Sequence, residues 1–209
     1  MIITISASYG AGGSEQGPRI AQRLGLRFID RAVPVAVADE LGISVQDAEA
    51  IEQDTPSRFW HFFAHMSSLS PGMVVPAPVE QGVTDRDVMR GTEAELRKVA
   101  DSGSGVILGH AAAVVLANRS DALHVRLDGP PQGRVRMAMR QHGIDAAAAE
   151  AAQRKNDRIR AGYAKHFYGV DSASAKHYHL VLDTVRIDWD TAEQLILGAA
   201  RSSSTMSDE

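Results

Sequence analysis

Short apolar runs alternate with segments of helical periodicity along most of the chain. Runs with strand character lie at residues 2–6, 26–30, 106–108, 123–128 and 177–183. Such an alternation is typical of a parallel sheet wrapped by helices, because parallel neighbours need a helix-sized crossover between them. The pattern therefore predicts a three-layer α/β fold with no internal repeat.

The composition predicts one globular domain over residues 1–200. Hydrophobic residues make up 44% of the 209 positions, charged residues make up 23%, and the net charge is -4. This balance is ordinary for a globular protein and predicts no affinity for nucleic acids or membranes. The chain contains no cysteine and starts in a strand pattern without an apolar leader, which together predict a cytoplasmic protein. Small polar residues at 201–209 predict a disordered tail.

The first apolar run leads directly into a glycine-rich loop. Three glycines follow within four residues, and a helical pattern then continues through about Leu24. Strand, glycine loop and helix together form a cradle for an anionic phosphoryl group, because backbone N–H groups and the helix dipole point into it. The predicted phosphate-binding residues are Gly10, Ala11, Gly12, Gly13 and Ser14.

This loop departs at two positions from the phosphate-binding motif G-x-x-x-x-G-K-[ST]. Ala7 stands in place of the first glycine, and Gly13 stands in place of the lysine. Gly12 and Ser14 match the motif. We therefore predict a phosphate cradle that lacks its own cation, in which the Ser14 hydroxyl faces a magnesium ion.

Asp30 and Arg31 follow the second apolar run at its carboxyl end. Ligands of open α/β sheets bind at that edge, so the position favours a binding role. Asp30 is also suited to cap the helix that follows, because aspartate is a preferred N-cap residue. The sequence leaves both interpretations open.

Residues 58–66 concentrate aromatic side chains in the stretch R-F-W-H-F-F-A-H-M. One helix cannot bury all four rings on a narrow stripe, so part of the segment contacts something beyond its own helix. The contacting group is either a second subunit or a nucleotide base. We favour the subunit, because large aromatic residues are enriched at the cores of interfaces, and we predict a homodimer.

Basic residues are dense on two predicted helices in the last third of the chain. Arg134, Arg136 and Arg140 lie on the first, where a solvated basic face is the alternative to a binding role. The second carries five basic residues from Arg154 to Lys165. Phosphoryl transfer needs cations that close over the transferring group, and this second cluster is suited to supply them.

Several stretches, taken together, resemble the cytidylate kinase-like family of P-loop proteins, within the nucleoside monophosphate kinase superfamily. The span from Ile5 to Asp30 resembles the opening of that family, which also has a Gly-x-Gly-Gly loop without the usual lysine. Val106–His110 is similar to its V-I-x-G-R stretch, Asn156–Tyr163 to its lid helix and Tyr178–Thr184 to its last strand. The matches follow in the same order and spacing from residue 2 to about residue 197.

The resemblance implies a P-loop NTPase-like parallel sheet flanked by helices, with a helical insert at about 42–90 and a lid at about 145–170. It implies that ATP with Mg²⁺ donates a phosphoryl group to a (d)CMP-like nucleoside monophosphate. In the lid it implies that Arg160 clamps phosphate, that Asp157 orients an arginine and that Arg134 assists.

The resemblance also implies an acceptor site at Asp30, Arg31 and His110. His110 stands where the family has an arginine that reaches the phosphate of the acceptor. Histidine is a weaker and conditional cation, because it titrates near neutral pH. This substitution predicts altered specificity or activity.

Two classes of function are compatible with these residues. In the first, the protein is an active nucleoside monophosphate kinase. In the second, it keeps the fold and a nucleotide or phosphate pocket but acts as a catalytically weak or inactive regulatory protein. The missing lysine favours the second class, because a fixed cation contributes several kcal/mol to transition-state stabilisation. The lid arginines favour the first class, because they can replace that cation.

Overall fold

A computed structural model describes residues 1–30, 93–94, 96–109 and 112–205, without the side chains of Ile159, Tyr163, His166 and residues 203–205. The predictions for Arg31, for His110, for the aromatic segment 58–66 and for the insert at 42–90 therefore lie outside the described residues. The chain divides into two compact units, residues 1–33 with 99–209 and residues 34–98. The sheet belongs to the first unit.

The strands are β1 (Ile2–Ala7), β2 (Arg27–Asp30), β3 (Gly105–Leu108), β4 (Ala122–Asp128) and β5 (Leu180–Asp183). They form one sheet in the order β2-β3-β1-β4-β5, and all neighbouring strands are parallel. In the centre, Ile5 of β1 lies opposite Leu108 on one side and Val125 on the other. The glycine loop that follows β1 therefore leaves the middle of the carboxyl edge of the sheet.

The helices that flank the sheet are α1 (Gly13–Leu24), α2 (Ala112–Val115), α3 (Pro131–His142), α4 (Ala146–Tyr168) and α5 (Trp189–Thr205). Ile20 of α1 and Ile196 of α5 share one buried core with Ile5. Helices α3 and α4 pack against each other. The predicted fold, a parallel sheet flanked by helices, is confirmed. Within the described part of the chain, no helix is long and apolar enough to cross a membrane.

Local sequence accounts for the ends of α1 and α5. Gly25 ends α1 in the left-handed conformation with φ 65°, as expected for a glycine after a helix. Asp188 caps α5 by accepting a hydrogen bond of 2.9 Å from the Thr191 N–H. The helix then continues through residues 201–205, which the sequence analysis placed in a disordered tail. That stretch contains no glycine or proline, the residues that most disfavour a helix interior.

Strands β1 and β4 carry polar residues on one face although both lie inside the sheet. Parallel strands covered on both faces are usually apolar throughout. Thr4, Ser6, His124 and Arg126 are nevertheless all buried. Thr4 Oγ1 and His124 Nδ1 form a hydrogen bond of 2.8 Å. The alternation of side chains along a strand therefore leads a row of polar groups towards the edge where the glycine loop begins.

Candidate active site

The loop between β1 and α1 presents backbone N–H groups that have no acceptor in the part of the chain that the structure describes. Gly10 and Gly12 adopt left-handed φ angles of 75° and 82°. Helix α1 starts without a side chain that caps it, and within the described residues the N–H groups of Gly12, Gly13 and Ser14 have no acceptor. Open N–H groups at a helix N-terminus, together with the helix dipole, favour an anion. The predicted cradle therefore has a geometry suited to phosphate.

The other side of this loop is packed against protein. An ideal Cβ on Gly10 would lie 2.3 Å from the carbonyl oxygen of Arg134. An ideal Cβ on Gly12 would lie 2.7 Å from Cζ2 of Trp189. Both distances are far inside van der Waals contact, so these glycines are required by packing as well as by their left-handed conformation.

Two arginines from neighbouring helices reach the point where β1 ends. Arg134 of α3 donates from Nη1 to the Tyr9 carbonyl at 2.8 Å and from Nε to the Gly129 carbonyl at 2.8 Å. Arg160 of α4 donates from Nη1 to the Ala7 carbonyl. The two guanidinium groups therefore meet at the first residues of the loop.

Asp157 connects the two helices to the loop. It accepts a hydrogen bond of 2.7 Å from Nη2 of Arg134 and one of 3.1 Å from the Tyr9 N–H. Gln153, one turn earlier on α4, donates to the same carboxylate at 2.7 Å. The arginine that Asp157 orients is thus Arg134, whose three guanidinium nitrogens all donate to protein acceptors.

The described residues compensate the charge of the Arg160 guanidinium only in part. Burial lowers its pKa to about 10, the Asp157 carboxylate opposes this shift, and the charges of Arg134 and Arg126 add to it. The group stays protonated at neutral pH because that pKa is well above 7. A bound anion would stabilise the cationic form further, so this position favours a phosphoryl group.

Arg126, which was not predicted from the sequence as a site residue, is buried next to the loop. Its Nη2 donates to the Ser8 hydroxyl at 3.0 Å and to Asp128 Oδ2 at 2.7 Å. Burial raises the pKa of Asp128, but the charge and hydrogen bond of Arg126 outweigh it and leave the pKa below its usual range. An arginine in a central strand was the available signal, because a buried charge requires partners.

Thr184 was missed as well, and it ties the loop to the end of β5. Its hydroxyl donates to the Ala11 carbonyl at 3.0 Å and also lies 3.2 Å from the Asp128 carbonyl. Thr184 and Ala11 are both buried, so water cannot take the place of the Thr184 hydroxyl as donor to the Ala11 carbonyl. The bond therefore fixes one side of the cradle.

The remaining predicted site residues are either exposed or outside the described residues. Arg136 and Arg140 are exposed on α3, as expected for the alternative of a solvated basic face. Asp30 is exposed at the end of the edge strand β2, although its charge still acts on Arg160. Arg31 and His110 belong to the residues that are not described, so the acceptor site stays a prediction.

The part of the chain that the structure describes forms no protein cage for a metal ion. Among those residues, no group of three or more His, Cys, Asp or Glu side chains is arranged to hold one. Ser14 is exposed at the first turn of α1, beside the cradle. Mg²⁺ commonly keeps several waters and binds through substrate phosphates with few protein oxygens. A single hydroxyl at this place fits such an ion.

Known proteins resemble the chain along nearly its whole length. The sequence profile of the cytidylate kinase-like family matches residues 2–186. A cytidylate kinase from Methanopyrus kandleri is 22% identical, over 95% of this chain and 92% of its own. A cytidylate kinase from Aeropyrum pernix is 27% identical, over 94% of this chain and 97% of its own. Among solved structures, an uncharacterized protein from Eubacterium ventriosum shares the fold, with a TM-score of 0.66, 17% identity and coverage of 97% and 99%.

Proposed function

Because the chain belongs to the cytidylate kinase-like family, we propose that it transfers the γ-phosphoryl group of ATP to a (d)CMP-like nucleoside monophosphate. The observation that carries this proposal is the position of Arg160 beside a loop with open N–H groups. A phosphoryl group held by that loop would meet a guanidinium whose charge the described residues compensate only in part.

In this proposal the loop binds the phosphates of the donor. The N–H groups of Gly12, Gly13 and Ser14 donate to phosphate oxygens, and the start of α1 adds its dipole. The Ser14 hydroxyl would hold the Mg²⁺ that accompanies ATP, and this ion would neutralise charge on the phosphate oxygens. Donor binding therefore needs no side-chain cation within the loop.

Arg160 and Arg134 have different roles in the transfer. An oxygen of the acceptor phosphate forms the new P–O bond, while the bond from the γ-phosphorus to the bridging oxygen of ADP breaks. Arg134 has every guanidinium nitrogen engaged with protein, so it positions the loop. Arg160 donates to one protein acceptor within the described residues, so its remaining N–H groups are open to the equatorial oxygens of the transferring group. Asp157 acts through Arg134.

The proposal is tested with Arg160→Ala in a coupled assay with ATP, Mg²⁺ and a panel of nucleoside monophosphates. CMP and dCMP should be the best acceptors. The variant should lower kcat by about 100-fold or more and change nucleotide affinity less, because the contact forms chiefly in the transition state. Arg160→Lys should restore only part of the rate, because an ammonium lacks the planar fork of arginine.

The matched control is Arg201→Ala, which removes an exposed arginine near the end of α5. It should leave kcat within about twofold of the wild type, since substitutions of exposed surface residues usually have small effects. A wild-type protein that binds nucleotides in calorimetry but transfers no phosphate above background would reject the kinase and favour the regulatory class. Full activity of Arg160→Ala would reject the role of Arg160.

A further inference from the structure

The two positions at which the loop departs from the phosphate-binding motif lie against each other. An ideal Cβ on Gly13 would lie 2.5 Å from Cβ of Ala7 and 3.2 Å from Cδ1 of Leu108. Carbon atoms in contact are about 3.5–4.0 Å apart. Gly13 is itself buried, so the methyl group of Ala7 leaves no room for any side chain at position 13.

The two neighbours of Gly13 differ in how easily they can move. Leu108 presents the end of a flexible side chain, which can shift by a few tenths of an ångström. Ala7 presents a Cβ fixed to the backbone of the last residue of β1, and this residue pairs with Leu127 of β4 in the sheet. Removal of the Ala7 methyl is therefore the change that makes room for a side chain at position 13. The phosphate-binding motif has a glycine at the position of Ala7.

Ala7 also holds the cation that comes from elsewhere in the chain. Its carbonyl accepts a hydrogen bond from Nη1 of Arg160, 153 positions away in the sequence. The motif lysine reaches the β- and γ-phosphates from within the loop. Arg160 brings a guanidinium to the start of the same loop from helix α4.

We propose that Ala7 is a positioning residue through which Arg160 replaces the loop lysine. The methyl group of Ala7 excludes a lysine at position 13, and its carbonyl docks the guanidinium that takes over the contact with phosphate. The steric part depends on the fold alone. The contact of Arg160 with phosphate rests on the proposed function.

The steric part is tested by thermal unfolding without nucleotide, with Ala7→Gly, Gly13→Lys and the double variant. Gly13→Lys should lower Tm by roughly 4–8 °C, because overpacking a buried site costs about 2 kcal/mol. The double variant should return to within about 2 °C of Ala7→Gly. The control is Gly198→Lys, which puts a lysine on an exposed glycine of α5 with nothing within 4 Å of its Cβ and should not lower Tm.

Two outcomes would overturn the steric pairing. In the first, Gly13→Lys is as stable as Gly198→Lys, which would mean that Ala7 does not exclude a lysine at position 13. In the second, Gly13→Lys is unstable and Ala7→Gly does not restore it, so that the obstruction lies elsewhere.

The replacement of the lysine is tested by rescue in the transfer assay. Adding Ala7→Gly and Gly13→Lys to Arg160→Ala should raise kcat by about tenfold or more, because a fixed cation returns to the transferring group. A merely structural role of Ala7 would not produce such a gain in kcat. No gain, in an assay where the wild type is active, would overturn the replacement. A wild type without transfer would overturn the proposed function and the replacement together, while the Tm comparison still decides the pairing.

Discussion

The ion pair between Arg134 and Asp157 should hold α3 and α4 to the glycine loop, and Asp157→Asn tests it. The bond is 2.7 Å long, and the side chains of Arg134 and Asp157 are 5% and 27% exposed. The substitution keeps the shape of the side chain and removes its charge. Arg134 would then keep Asp128 as its carboxylate partner, at 3.5 Å.

The expected loss of stability lies between two limits. A hydrogen bond to a charged group contributes about 1.5–3 kcal/mol, and leaving one member of a buried ion pair alone costs about 3–5 kcal/mol. Asp157 is partly exposed and Asp128 stays in place, so the lower limit applies. We expect a loss of about 2 kcal/mol, or roughly 4–8 °C in Tm for a chain of this size.

Urea unfolding followed by circular dichroism measures the difference. The control is Glu150→Gln, which removes the same charge from an exposed pair on the same helix, Glu150 and Arg154 at 3.4 Å. It should change the free energy of unfolding by less than about 0.5 kcal/mol. The reasoning is refuted if Asp157→Asn is as stable as the wild type, or if the control loses as much.

Two further predictions follow from buried polar groups. Burial, together with the neighbouring His179, lowers the pKa of His124 to about 4. The pKa of this histidine in the unfolded chain is about 6.5, so between these two values only the unfolded chain binds the proton. The free energy of unfolding therefore falls by about 3 kcal/mol as the pH falls through this range. His124→Asn should remove this part of the loss, seen as a smaller drop of the urea midpoint between pH 7 and 4.5, and an unchanged drop would contradict the assignment. Thr184→Val leaves the Ala11 carbonyl without its hydroxyl donor and should weaken ATP binding by about 2- to 10-fold. Thr184→Ser should not, and equal affinities of the two variants in calorimetry would show that the bond does not shape the cradle.

The parts of the fold that the sequence predicted depend on neighbouring residues. The short apolar runs gave the five strands, and Gly25 marked the end of α1, because both signals act within a few positions of the chain. The loop from Gly10 to Ser14 was predicted for the same reason, because its glycines are close together in the sequence. Small polar residues led to the prediction of a disordered tail at residues 201–209, whereas Ser202 donates its hydroxyl to the Gly198 carbonyl and α5 runs to Thr205.

The residues that the sequence did not predict are held by bonds between distant positions. Arg126 meets Ser8 across 118 positions, and Thr184 meets Ala11 across 173. No local pattern reports such a bond, since it depends on which strands become neighbours in the sheet. Arg134 and Arg136 illustrate the same limit, because both lie on one predicted helix and only the fold shows that Arg134 is buried and Arg136 exposed.

The glycine loop is hydrogen-bonded to the protein on one side and, in the proposed function, presents N–H groups to a ligand on the other. The bonds on the first side explain how a cradle without a lysine can still be ordered. On one side, the carbonyls of Ala7 and Tyr9 accept hydrogen bonds from Arg160 and Arg134. On the other side, the N–H groups of Gly12, Gly13 and Ser14 have no acceptor among the described residues. The bonds on the first side form when the chain folds, so the entropy of ordering the loop is lost before a ligand arrives rather than during binding. The same bonds join α3 and α4 to the loop, so a variant that loosens Asp157 should disturb the cradle and the position of Arg160 together.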